Sequence, residues 1–350
     1  MTSGQRLYSI HSLRFVAAAA VVMHHITTGL GQKSVLVGAA GVDVFFVISG
    51  IVIGMALIDR ETPYRFAARR LVRVIPPYWI ATIAVMLFQY SVWGATFSVS
   101  RIARSLFFWP EFGTNWQLIY FPAWTLCYEM LFYFVAFLSL VAARRHALIA
   151  CATVMTLIGL FRIPVPSSSD GAFFSTAVSL EFCGGMLLAV VIRSGWRPQR
   201  SVGICMLFAA ALLFWRYQSA VLLISETPAV SHFARPLGLG IPSCLAALGL
   251  LSFEGARIFR TRFAMLGGNA SYAIYLCHIT VVNFTSDRLA RHGVQVKSHF
   301  WLSSIGLTVL SIAVGIGAWL LIEKPMLRTL QRLFINRGSE IGSVSTATAH

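Results

Sequence analysis

The chain has 350 residues, of which 57% are hydrophobic and 11% charged, and its mean hydropathy is +0.74. Soluble domains carry roughly a quarter charged residues, so this composition excludes an ordinary water-soluble globule. The formal charge of +16 could suit nucleic acid, but the basic residues sit in short loops between apolar blocks, which excludes that partner and points to a lipid bilayer.

The apolar blocks are about twenty residues long, enough for a helix to cross the hydrocarbon core. They predict helices at 7–28, 37–58, 75–93, 121–142, 147–163, 173–192, 202–218, 237–253, 264–285 and 300–322. The expected fold is all-α, a polytopic integral membrane protein of about ten transmembrane helices with both termini cytoplasmic. One membrane domain covers 1–335, and the polar stretch 336–350 is expected to be a disordered cytoplasmic tail. No internal repeat is visible, which weighs against the inverted-repeat transporters.

The first block, FVAAAAVVMHHI, has the look of a secretory signal. Two adjacent histidines near its end and the lack of a small-residue cleavage site argue instead for insertion. Orientation follows from the loops. Arg60, Arg65, Arg69, Arg70 and Arg73 fall together on one side, joined by Arg144, Arg145, Arg193, Arg197, Arg200, Arg257, Arg260, Arg262, Lys324, Arg328, Arg332 and Arg337. That side is cytoplasmic by the positive-inside rule, and membrane lipid is the expected surrounding partner. The outer stretch 94–120 and its border carry Trp109, Trp116, Tyr120 and Phe121, which suit an interfacial or re-entrant anchor or a sugar-binding lip. The six cysteines show no metal-ligand spacing, so neither zinc nor a disulfide framework is expected.

Ionisable side chains within a membrane span are costly, and they normally face a bundle interior or a wet cavity. Arg14, His24, His25, Asp43, Glu129, Glu181 and His278 all fall in predicted helices. Five helices thereby aim polar groups at the middle and outer membrane, and one buried polar chamber is expected. Taken singly, Asp43, Glu181 and His278 are as readily explained as partners of a neighbouring polar group. Arg14 and His25 are eleven residues apart, about 20° past three full helical turns, so they share a face roughly 16 Å apart. His24 is turned about 80° off that line.

In RFAARRLVR (65–73), Arg69 and Arg73 are spaced i, i+4 and Arg70 and Arg73 i, i+3, so the three crowd one helical face at the inner boundary. Guanidinium forks bind phosphates bidentately, which makes the cluster a seat for a polyphosphate. Acidic lipid would satisfy the same charges.

These residues resemble the membrane acyltransferase-3 family, from about Leu7 to Pro325. LYSIHSLRFVAAAAVVMHH is similar to its first helix, with the spacing of Arg14 and His25. GVDVFFVISG carries the FFxxSG motif at Phe45, Phe46, Ser49 and Gly50, and RRLVRVIPPYW the RxxR element at Arg70 and Arg73. WTLCYEMLFY matches the WTLxxE segment ending at Glu129, SYAIYLCH the late helix ending at His278, and EKP the terminal motif at Glu323 to Pro325. The LYSI opening and YEMLFY wording resemble the ExoZ-type exopolysaccharide acetyltransferases. Phe15 stands where many relatives have glycine, and the soluble SGNH-type domain that some relatives carry is not expected here.

The resemblance implies transfer of an acyl group, most often acetyl, from acyl-coenzyme A to a hydroxyl of an exopolysaccharide or other surface glycan. Acyl-coenzyme A is then a co-substrate, and no bound cofactor or metal is expected. On this reading Arg70 and Arg73, assisted by Arg69, seat the coenzyme A phosphates, and the pantetheine arm passes Arg14. His25 is the base and Glu129 orients it; His24, Asp43, Ser49, Glu181 and His278 support the chamber. Both direct transfer and an acyl-histidine intermediate remain open. A proton-coupled transporter or flippase is the rival, since buried Glu and His also form proton relays.

Overall fold

The computed structural model describes residues 7–30, 36–109, 118–161, 177–221, 233–292 and 299–336. The polar tail expected to be disordered lies outside them from residue 337, as does Trp116. The described residues are helical, without strands. The main helices are α1 (Tyr8–Gly29), α2 (Ala40–Ile58), α3 (Pro63–Trp93), α4 (Val99–Leu106), α5 (Trp124–Ala142) and α6 (Ala147–Leu160). They continue with α7 (Ser179–Arg193), α8 (Arg200–Val221), α9 (Ile241–Leu251), α10 (Arg262–Arg291), α11 (Phe300–Ala318) and α12 (Lys324–Gln331).

Each of the ten predicted blocks holds a helix. Seven helical segments are long and apolar enough to cross a membrane: Tyr8–Gly29, Ala40–Ile58, Pro63–Trp93, Phe121–Ala142, Arg200–Gln218, Phe233–Leu251 and Phe300–Ile335. Helix α10 is 30 residues long, about 45 Å at 1.5 Å per residue, but carries more polar side chains. Two boundaries move. The third helix begins at Pro63, not at 75, and runs through Pro76 and Pro77, so the arginine-rich segment forms its opening turns. Prolines are tolerated in membrane helices packed among neighbours; beside Pro76 and Pro77 the Tyr272 hydroxyl of α10 donates to the Val74 carbonyl at 2.9 Å and ties the two helices together. The last helix, expected to stop at 322, continues through a π-helical turn at Trp319–Glu323 into α12.

Helix α2 is the centre of the bundle, packed along α7 and against α1, α5 and α9. Without a hydrophobic drive between helices in lipid, close van der Waals contact must hold them, and small residues allow it. Gly50 lies where a Cβ would run into the Phe182 carbonyl of α7, and a Cβ on Gly185 would meet the Val47 carbonyl of α2. The reciprocal fit brings two backbones together at the level of Ser49. Helix α1 packs along α10, and α10 along α11. The opening turn of α1 has no cap of its own, and Glu254 fills that role from the segment after α9. Its carboxylate accepts from the Tyr8 and Ser9 amides and from the Ser9 hydroxyl.

The outer stretch folds back on the bundle. Helix α4 lies against α3, where Tyr78 donates to the Ser105 carbonyl at 2.8 Å and Trp79 to the Leu106 carbonyl at 2.9 Å. Tyr78 is fifteen residues into α3, about 22 Å along its axis, so α4 lies beside the middle of that helix. Tyr120 is buried and donates to the Tyr275 carbonyl at 2.8 Å, a structural anchor.

Replacing Gly50 with valine is expected to destabilise the protein by about 1–3 kcal/mol, because the added carbons have no space between α2 and α7. Gly306→Ala, at a site with open space around it, should be neutral or stabilise by up to about 1 kcal/mol. Thermal unfolding in detergent compares the two; equal melting temperatures would refute the close-approach role of Gly50.

Candidate active site

Five helices contribute to one internal cavity of about 120 Å³. Helix α1 supplies Arg14, whose Nε donates to the Ser271 hydroxyl of α10 at 3.3 Å and whose guanidinium lies 5.9 Å from the centre of the Phe45 ring. Helix α2 supplies Phe45, Phe46 and Ser49, helix α3 Arg70, Arg73 and Val74, helix α5 Thr125, Glu129 and Tyr133, and helix α10 Tyr272 and Tyr275. Glu129 is gripped from two sides: its Oε1 accepts from Tyr133 at 2.5 Å and from Ser49 at 3.3 Å. Tyr133 lies one turn beyond Glu129 on the same helix face, which explains the first bond. The second explains why a serine precedes Gly50, since the close approach of α2 and α7 fixes the depth of that hydroxyl.

The FFxxSG string is thus one device. Its phenylalanines line the cavity, its serine holds the carboxylate and its glycine admits α7.

His25 lies outside that lining and adjoins the cavity through Tyr275. Its ring is 5.2 Å from that of His278 and 6.3 Å, edge-on, from Phe121, with His24 at 5.4 Å. Tyr275 reaches both regions. It borders the cavity, its ring is 5.7 Å from His278, and its hydroxyl donates to the Pro122 carbonyl at 2.6 Å and pairs with Thr125 at 2.8 Å. His278 is fully buried and its Nδ1 lies 2.6 Å from the Tyr275 carbonyl. A carbonyl only accepts, so Nδ1 carries the proton and Nε2 is left with a lone pair. Arg14 meets Ser271 and, further along α1, His25 meets His278, so α1 and α10 run parallel, as an odd number of crossings between them requires.

The expected single chamber therefore divides. Arg14, Ser49, Arg70, Arg73 and Glu129 come together; His24, His25 and His278 form a neighbouring group. Asp43 and Glu181 belong to a third. Asp43 is wholly buried and forms a two-pronged ion pair with Arg235, at 2.9 and 3.0 Å, and that guanidinium lies 5.3 Å from the Trp124 ring. Glu181 is buried nearby, where a Cβ on Gly240 would strike its side chain.

Two expectations are corrected by these contacts. Glu129 is hydrogen-bonded to Ser49 and Tyr133, and the ring neighbours of His25 are His24, His278 and Phe121, so no bond between Glu129 and His25 is described. Helix packing sets the rotation of each side chain, and here it turns the two groups to different partners. Arg69 leaves the arginine trio: its Nη1 pairs with Glu61 at 2.9 Å and the residue is exposed.

Sequence reasoning overlooked Arg235, Tyr133, Tyr272 and Tyr275. By the predicted spans Arg235 falls in a loop just before the block at 237–253, although an arginine opening an apolar block is a natural counter-ion for a buried aspartate. Tyr133 was visible as the residue four beyond Glu129. The two α10 tyrosines carry no pattern that separates them from core aromatics.

The chain matches the acyltransferase-3 profile, an acyltransferase domain, over residues 7–321. It belongs to the acyltransferase-3 family. It is 30% identical over 325 residues to the exopolysaccharide production protein ExoZ of Rhizobium meliloti (strain 1021), spanning 89% of this chain and 93% of that protein. It is 25% identical over a 375-residue alignment to the acyltransferase MdmB of Streptomyces mycarofaciens, spanning 93% of each. No solved structure gives a significant match. The protein is a multi-pass membrane acyltransferase that transfers groups other than aminoacyl groups.

Removing one partner of a buried ion pair leaves an uncompensated charge, at a cost of about 3–5 kcal/mol. Arg235→Ala should therefore lower the unfolding temperature sharply, and the added change Asp43→Asn should recover part of the loss. A double variant no more stable than Arg235→Ala would refute the pairing as the cause.

Proposed function

We propose that this acyltransferase carries an acyl group, most simply acetyl, from acyl-coenzyme A to a hydroxyl of an exopolysaccharide or other surface glycan at the bacterial inner membrane. The observation that carries the reading is the cavity of Arg14, Arg70, Arg73 and Glu129, joined through Tyr275 to the His25–His278 pair, in a chain of this family. The likeness to ExoZ supports the acceptor class. The basic residues of the cavity attract an anionic donor from the cytoplasmic side, where the positive-inside distribution places the start of α3.

An alcohol is a weak nucleophile at neutral pH, and an imidazole is the side chain best matched to take its proton. In this mechanism His25 removes the acceptor's hydroxyl proton while the oxygen attacks the thioester carbonyl. The C–O bond forms, the C–S bond breaks, and the proton passes to the departing thiolate. Arg14 lies on the same face of α1 but roughly 16 Å from His25, so it flanks the path of the donor's arm and not the reacting carbonyl. His278, with its tautomer set by the Tyr275 carbonyl, holds the His25 ring in place. Glu129, fixed by Ser49 and Tyr133, is the carboxylate among three arginines and keeps them oriented. Phe121, half exposed and edge-on to His25, forms a lip for the acceptor. Direct transfer needs the fewest steps; ping-pong kinetics would replace it with an acyl-histidine intermediate.

His25→Ala should reduce acyl transfer in membranes by about 10²–10⁴-fold, the usual worth of a positioned base, whereas His24→Ala should keep most activity. Full activity in the His25 variant would refute the role. Mass spectrometry of surface glycans from deletion and complemented strains tests donor group and acceptor together: the deletion strain should lack an acetyl ester that complementation restores. Identical glycans in the two strains would overturn the acceptor class.

A further inference from the structure

A second, larger cavity of about 480 Å³ opens at the end of the bundle where α1 begins. It shares Arg14, Val52 and Arg73 with the inner cavity, so the two meet at those side chains. Its outer wall comes from α12, through Lys324 and Arg328. These two are spaced i, i+4 and share a helix face. The π-helical turn before them, Trp319–Glu323, contributes the wider register that buries Glu323 while leaving Lys324 and Arg328 at the rim. The Lys324 ammonium is 5.1 Å from the centre of the Trp319 ring, and the Tyr64 hydroxyl of α3 donates to the Phe334 carbonyl at 3.4 Å, which ties this C-terminal segment to the arginine-bearing helix.

Four permanent cations therefore surround this cavity, Arg14, Arg73, Lys324 and Arg328, against one carboxylate, Glu323. Among the described residues none of the four forms an ion pair. Such a site is electrostatically incomplete without an anion of several charges. Coenzyme A has one: a diphosphate and a 3′-phosphate, the monoester alone carrying about −1.5 to −2 at neutral pH.

We propose that Lys324 and Arg328 hold the phosphates of the coenzyme A moiety at the rim of this cavity, with Arg73 at its inner edge, so that the terminal helix selects the donor. The proposal rests on the reading of acyl-coenzyme A as donor and changes where its phosphates sit. Arg70 lines only the inner cavity and Arg69 is engaged by Glu61, so neither is the phosphate seat. The thioester then lies inward, towards Glu129 and the histidine pair.

The test uses the full-length protein in vesicles, with acetyl-coenzyme A, its 3′-dephospho form and acetyl-pantetheine as donors. The wild type should favour acetyl-coenzyme A over acetyl-pantetheine by 100-fold or more in kcat/KM, about 2.7 kcal/mol at 1.36 per decade. In Lys324→Ala/Arg328→Ala that preference should fall at least tenfold, through KM, and Lys324→Arg/Arg328→Lys should keep most of it. A misfolded variant would lose every donor alike; the single variants Lys324→Gln and Arg328→Gln would then be read in the same way. An unchanged preference in the variants overturns the proposal. So does a loss of activity seen only in vesicles with phosphatidylglycerol and equal for all donors, which assigns the pair to lipid headgroups. A wild type that accepts no coenzyme A thioester overturns the donor reading itself, a separate result.

Discussion

A charged side chain inside a bilayer has no water to fall back on, so the bundle must supply its partners, and this constraint shapes the protein. Glu129 is the clearest instance. It lies within a crossing, accepts from Ser49 and Tyr133, and faces a cavity shared with Arg14, Arg70 and Arg73. For those groups to converge, α1, α2, α3 and α5 must be held at one depth and one rotation. The same rule explains Asp43, whose burial is matched by both arms of Arg235.

Holding the helices at that depth falls to small residues and to tyrosines. Gly50 and Gly185 bring α2 and α7 into backbone contact beside Ser49. Tyr120, Tyr272 and Tyr275 spend their hydroxyls on main-chain carbonyls, fastening α10 to α3 and to the segment before α5. In lipid these contacts replace the hydrophobic effect as the means of choosing one packing among many. The cavities are what remains where polar groups keep the helices from closing further. Their union at Arg14 and Arg73 makes a continuous path from the basic rim to the cavity of Glu129.

Much of this was legible in advance. Hydropathy alone located the helical blocks, because a crossing needs about twenty apolar residues. The ionisable residues inside those blocks named most of the site, because such residues are too costly to keep without use. Spacing also placed Arg14 and His25 on one face of α1, since a regular helix carries its geometry with it. The pattern failed where partners come from distant helices. Nothing in the string links Asp43 to Arg235, 192 positions away, and Arg69, adjacent to Arg70, turned aside to Glu61.

The sequence by itself determined that the chain is a helical membrane protein, where its helices lie and which polar residues they bury, since these follow from local composition and periodicity. Only the tertiary structure decided how those residues group. The rotation of each helix about its axis is set by interhelical contacts that no local pattern encodes. It parted Asp43 and Glu181 from the cavity of Glu129, gave that carboxylate to Ser49 and Tyr133, and brought Lys324 and Arg328 round to the mouth of the cavity where Arg14 and Arg73 lie.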